Sequence, residues 1–411
     1  MRWIGLVIAL VWSGGAVVAE DWPQLQGPYR NGTTSEKVAV WKEAPRVLWR
    51  KRVPEGNSAP VIAGGRLFLH CKVEDKEEEE LLALDAVTGK VLWRKGYTRS
   101  PFMSNTGNGP RAAPAVALGR VYTHGISGIL TCYAADTGKQ LWQIDTHKKF
   151  KVPPLKYGVV SSPLVEGNRV LVNVGAPGAS LVAFDAETGR LAWKALDDSV
   201  STSSPTVLLG EEGRRRQVVF QTDLRLVAVN PDDGSILWQR KLSDTPIDSA
   251  PALTSLHGDL LFASSIHYGG IALRTERRDE RWRATTTWHN EVLGSYFPNA
   301  VPVGKEHLYT VTNTSNPGTV LRCVELKTGK ELWNQPGVGD WHAGLIATGD
   351  DKLLLHDGQG DVRLLAHDPK GYRELARARV GLPATLTNPS LANGRLYLRD
   401  LQEVVCVQLG K

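Results

Sequence analysis

The side chains best placed for chemistry recur along the chain rather than cluster in it. Aligning the end of one strand in each of eight repeating units gives His70, His124, Asn173, Gln221, Ala263, Val311, His356 and Arg399, six of them polar. Closing the units into a ring makes those six neighbours, in the order His356, Arg399, His70, His124, Asn173, Gln221. Imidazole, amide and guanidinium groups gathered there would line one side of a channel mouth and hydrogen-bond a carboxylate, a quinone or a sugar. The competing explanation is that strand ends are simply wet. Trp341 and His342, in GDWHAG, open the axial strand of the seventh unit. They would either stack on a ligand or fill space where that unit lacks its proline. All of this is binding chemistry. The chain has no HExxH, CxxC or CxxCH spacing, no Asp-rich calcium loop, no GxSxG and no phosphate-cradling glycine loop. No catalytic residue and no metal ligand is assigned.

The elements that would position these groups are repeats. LALDAVTGKVLW, TCYAADTGKQLW, VAFDAETGRLAW, VAVNPDDGSILW and RCVELKTGKELW are near copies, ending at Trp93, Trp142, Trp193, Trp238 and Trp333. Each reads as a strand, a tight turn and a second strand, with glycine supplying the positive φ of the turn. Trp49 and Trp288 extend the series, so that successive tryptophans lie 44, 49, 51, 45, 50 and 45 residues apart. A repeat of that length cannot bury its apolar face alone, and the tryptophans are expected to dock one unit onto the next. A further copy around LLAHDPKGYRELARARV has Leu375 and Ala376 where tryptophan would stand.

About thirty residues before most of these tryptophans stands a proline: Pro60, Pro114, Pro163, Pro205, Pro251, Pro302 and Pro389. Proline lacks a ladder donor, so it marks an edge strand, the first of each unit, lining the axis. A second strand follows, as in GRLFLH, GRVYTH, NRVLVN and GRLYLR, giving four strands per unit. RVLWRK, near residues 46–52, repeats KVLWRK without a hairpin before it, whereas the C-terminus supplies three strands and stops. The two fragments complete one unit. The sequence therefore predicts an all-β, eight-bladed β-propeller of four-stranded blades, closed where the N-terminal strand joins the C-terminal blade.

Residues 1–19, with Arg2, an apolar run and a small-residue end, read as a secretory signal peptide, 20–45 as an N-terminal arm and 46–411 as the propeller. The expected location is periplasmic or extracellular, with no membrane span after signal cleavage. No cysteine precedes Cys71, and Cys132, Cys323 and Cys406 fill a slot that holds alanine in sister repeats, which predicts small buried residues rather than disulfides or ligands. A net charge of +6 on 411 residues does not argue for nucleic acid. The long loops Tyr97–Pro110, Thr146–Gly158 and Asn290–Pro298 fall on one face and combine aromatic, amide and basic groups, whereas the other face has tight turns. The long-loop face is expected to meet a protein or small-molecule partner.

The A-x-D-x-x-T-G-x-x-x-W pattern of Ala83–Trp93 and Ala183–Trp193 resembles the tryptophan-docking repeat of the pyrroloquinoline quinone (PQQ)-like propeller family, over residues 46 to 409. The arm DWPQLQGPYRNGTT is similar to the segment that opens many exported members. The resemblance implies one of two functions, a quinoprotein dehydrogenase or a non-catalytic propeller like the lipoprotein of the outer-membrane barrel-assembly machine. The alcohol dehydrogenases carry a vicinal Cys-Cys disulfide, and no two cysteines here are adjacent. The lipoprotein branch carries a lipid-bearing cysteine that is also missing. The expectation is a non-catalytic binding scaffold without cofactor. The alternatives are a compact dehydrogenase using PQQ with calcium and a carbohydrate-binding or carbohydrate-acting propeller.

Overall fold

The computed structural model describes residues 20–209, 216–247, 250–313, 318–339, 342–383 and 386–410. The signal-peptide assignment and Trp341 lie outside the described residues. Eight four-stranded antiparallel sheets form the eight blades of a propeller, seven of them built from consecutive strands. The first blade shows the plan: Val61–Ala63, Arg66–Lys72, Glu78–Asp85 and Val91–Thr98, from the axis outward. First strands of adjacent blades touch one another, which places the proline-marked strands around the axis. The eighth blade takes Ser390–Ala392, Arg395–Arg399 and Glu403–Gln408 from the C-terminus and its outermost strand, Arg46–Arg52, from the N-terminus. Trp49 pairs with Cys406 across that join.

The register explains why the repeat keeps a small residue ten positions before its tryptophan. Ala83, Cys132, Ala183, Ala228 and Cys323 are the cross-strand partners of Trp93, Trp142, Trp193, Trp238 and Trp333. A larger side chain there would displace the indole. The seventh blade reverses the pair, with Leu364 opposite Ala376. All four cysteines are free and buried.

Six of the seven indoles cover the hairpin turn of the following blade. The Trp193 ring lies where a Cβ on Gly234 would come within 2.5 Å, and its Nε1 donates to Pro231 O at 2.9 Å. Trp49, Trp93, Trp142 and Trp288 cover Gly89, Gly138, Gly189 and Gly329 in the same way, and Trp333 Nε1 donates to Asp368 O at 2.8 Å. Glycine is thus needed twice over, for a positive φ and for the absence of a Cβ under the ring. Trp238 faces a longer hairpin, Gly269–Arg278 with Arg281–Asn290, and its Nε1 donates to Gln217 Oε1 of its own blade at 2.6 Å.

The N-terminal arm crosses the axis on the tight-turn face and meets every blade. Trp22 exchanges backbone hydrogen bonds with Ile62, and Pro23 O accepts from Val116 N at 2.8 Å. Arg30 pairs with Glu166 at 3.3 Å, and its carbonyl accepts from Thr206 Oγ1 at 3.4 Å. With its amide turned to donate, Gln26 reaches Leu253 O at 3.1 Å. Gly32 lies so close to Val301 that a Cβ would approach it to 2.5 Å. Thr34 N donates to Ala347 O at 3.0 Å, and the Glu36 carboxylate accepts from Gly394 N at 2.7 Å.

Candidate functional site

With the arm across one end, the axis is a funnel that opens on the long-loop face. Its cavity is about 260 Å³, and Leu25 of the arm lies at its floor. Tyr157, Tyr296 and Phe297, from two of the long loops, supply aromatic wall, and Phe297 is 40% exposed.

Below the aromatics, residues at or shortly before the axial prolines form a hydroxyl and amide collar. Proline interrupts the ladder, and the neighbouring amides find acceptors on the next blade instead. Ser162 Oγ accepts from Ala113 N at 2.9 Å, Ser204 Oγ accepts from Ser162 N at 2.9 Å, and Asn299 Oδ1 accepts from Ala252 N at 3.1 Å. The collar therefore closes the ring and lines the funnel at once.

Among the described residues, Arg111 is the one ionisable side chain besides tyrosine on the funnel wall. It stands at the end of the loop 99–110, which carboxylates tie down. Glu55 Oε1 accepts from Asn108 N and from Gly109 N, the latter at 3.0 Å. Fully buried Glu79 accepts from Arg99 Nη1 at 3.3 Å, and Arg99 also donates to Asn108 O at 2.8 Å. Arg111 Nη2 is fixed by Ser104 Oγ at 3.0 Å, Thr106 Oγ1 at 2.8 Å and Gly107 O at 3.1 Å. The guanidinium lies 6.0 Å from the Phe102 ring centre. Burial pushes its pKa down, opposed by Tyr157 and Glu55.

The sequence-derived polar arc lies elsewhere. His70, His124, Asn173, Gln221, His356 and Arg399 are all buried, at 2% exposure or less, and none lies on the funnel wall. They are neither wet strand ends nor a channel mouth. Instead they are packed inside and between blades, only partly satisfied: His70 Nδ1, His124 Nδ1, Asn173 Oδ1, Gln221 Nε2 and His356 Nε2 have no hydrogen-bond partner among the described residues. His70 Nε2 is 3.0 Å from Tyr97 Oη, which donates to Glu79 Oε2 at 2.6 Å. His124 Nε2 is 3.3 Å from Thr146 Oγ1. Asn173 Nδ2 donates to Gln221 O at 3.0 Å, and Gln221 Oε1 accepts from Tyr268 Oη at 3.1 Å. Arg399 Nη1 crosses from the last blade to the first, donating to Ser58 O at 2.9 Å and His70 O at 3.1 Å. His342 is buried beside His356, and burial pushes both imidazoles down to about 4. Burial holds His70 and His124 down at about 3, with Arg399 adding to the shift at His70.

Strand-end alignment missed Arg111, Ser162, Ser204 and Asn299. For Ser162 and Ser204 the available signal was adjacency to the axial prolines Pro163 and Pro205; Arg111 and Asn299 stand three residues before theirs, at the ends of irregular loops, and carried no such mark. Thr106, Tyr157, Tyr296 and Phe297 all fall within the three long loops singled out in the sequence.

A family profile described as outer membrane protein assembly factor BamB matches residues 12–149 and 77–335. The outer membrane protein assembly factor BamB of Yersinia pestis is 26% identical over 288 residues, which cover 67% of this chain and 68% of the relative. The dehydrogenase subunit of the quinone alcohol dehydrogenase of Komagataeibacter europaeus is 31% identical over 304 residues, 64% of this chain and 38% of the relative. Among solved structures, BamB from Moraxella catarrhalis gives a TM-score of 0.62 at 16% identity, covering 89% of this chain and 98% of that one. That likeness shows the fold.

Proposed function

Because this chain belongs to the family described as outer membrane protein assembly factor BamB, we propose that it is an exported, non-catalytic propeller acting as a binding scaffold. Its partner is a protein met on the long-loop face, in the periplasm or outside the cell. The observation that carries this reading is the make-up of the funnel. Among the described residues its wall holds hydroxyls, amides, aromatic and aliphatic side chains and one guanidinium, and no carboxylate, imidazole or thiol. Such a wall can hold a ligand, and its described residues supply no general base of ordinary pKa. Among the described residues no helix is long and apolar enough to cross a membrane.

A second reading, a compact quinone-dependent dehydrogenase, is favoured by the 31% identity to a quinone alcohol dehydrogenase subunit. The residues do not fit a quinone with calcium. Among the described residues the funnel wall offers no carboxylate to coordinate a hard divalent cation, and no three His, Cys, Asp or Glu are grouped to hold a metal. Adding PQQ and calcium to the purified protein should give neither a bound-quinone absorbance nor dye reduction with alcohols or aldoses. Turnover with either would replace the scaffold by the dehydrogenase.

A further inference from the structure

We propose that the funnel binds a carboxylate carried on an apolar or aromatic group, with Arg111 as its anchor and the C-terminus of a partner polypeptide as its source. The inference rests on the scaffold reading and supplies the chemistry of its partner. It starts from an electrostatic imbalance. Arg111 is half-buried, yet no carboxylate lies within ion-pair distance of it among the described residues, and its buried Nε has no hydrogen-bond partner there. The nearby Glu55 spends Oε1 on two backbone amides. A desolvated cation without a counter-ion is unfavourable, and folding tolerates it where something outside the fold completes it.

The surroundings show what would complete it. Three hydrogen bonds to Nη2 hold the guanidinium in place before any ligand arrives, which lowers the ordering cost of binding. Nη1 has no acceptor among the described residues and is left to donate, and a planar guanidinium suits a carboxylate. Around it stand Tyr157, Tyr296 and Phe297, an apolar wall for the group that bears the carboxylate. The arm crosses the axis beneath the funnel, and Leu25 lines it there. A chain can enter only by its end or by a protruding group, and the C-terminus is the chain end that brings a carboxylate. A free aromatic acid shares this chemistry and is separated from a chain end by experiment.

Isothermal titration calorimetry of the intact protein would use acetyl-Ala-Ala-Phe with a free C-terminus, its C-terminal amide and 3-phenylpropionate. The free-acid peptide should bind saturably, with the amide weaker by tenfold or more, since a charge-assisted hydrogen bond is lost. Arg111→Gln should weaken the acid by on the order of tenfold to a hundredfold and leave the amide unchanged. Arg111→Lys should recover part of the loss. Stronger binding of 3-phenylpropionate than of the peptide acid would keep the anchor and overturn the chain end as its source. Equal affinity for acid and amide, indifference to Arg111→Gln, or no binding of any probe would overturn the proposal. None of these results bears on dye reduction with PQQ, so the scaffold reading fails or stands by its own test.

Discussion

Single residues in this ring are constrained by the neighbouring blade as much as by their own. Gly234 is held at φ +75° and has the Trp193 ring directly above it. Gly234→Ala should therefore destabilise by about 1–3 kcal/mol, through strain and a displaced indole together. Trp193→Ala should cost about 3–5 kcal/mol, because that indole is buried. Urea midpoints within experimental error of the parent for either variant would contradict the docking contact. Four buried histidines set the response to acid. His70, His124, His342 and His356 have folded pKa values of about 3 to 4, below the ordinary value of 6.5, so the unfolded chain binds more protons. Their contribution is complete above pH 6.5 and falls away as the pH drops from there towards 4, by about 1 kcal/mol per histidine at pH 5.5. Burial raises the Glu79 pKa and works in the opposite sense, offsetting part of the loss. Urea unfolding at pH 7.5 and 5.5 should show a drop of a few kcal/mol. An unchanged midpoint would mean that these imidazoles are solvated.

At the scale of elements, two segments hold the ring together, and they do so differently. Strand Arg46–Arg52 closes it edgewise by pairing with Glu403–Gln408. The arm closes it axially, through contacts that run from Ile62 in the first blade to Asn393 and Gly394 in the eighth. Deleting residues 46–52 should unzip one blade, whereas deleting 20–38 should loosen the inner ends of all eight and open the funnel floor. Both deletions should lower the melting temperature, and the arm deletion should also expose the Ala113 and Ser162 amides to faster hydrogen exchange. Unchanged exchange there would reduce the arm to a tether. The closing strand could be read from the sequence, because RVLWRK duplicates a known repeat. The arm's role could not. Its contacts are single backbone bonds, one glycine and scattered charges, which leave no periodic trace, whereas tryptophan, glycine and proline do.

For the molecule as a whole, eight near-equivalent blades make a symmetric frame, and the funnel is lined by what differs between them. The frame was legible because each docking tryptophan and each turn glycine repeats. The site was only partly legible. The long loops supply Thr106, Tyr157, Tyr296 and Phe297 of the funnel wall, whereas alignment of equivalent positions favoured His70 and its counterparts, since recurrence selects buried structural residues. Arg111 occurs once, at the end of one irregular loop, and its meaning depends on carboxylates supplied by Glu55 and Glu79 from elsewhere in the chain. A photo-crosslinking residue placed at Phe297 on the funnel rim, and separately at Thr188 on the tight-turn face, would locate the working surface in the cell that makes the protein. The account expects a discrete crosslinked polypeptide from position 297, lost when Arg111→Gln is added, and nothing discrete from position 188. Adducts from position 188 alone would place the partner on the wrong face and contradict it.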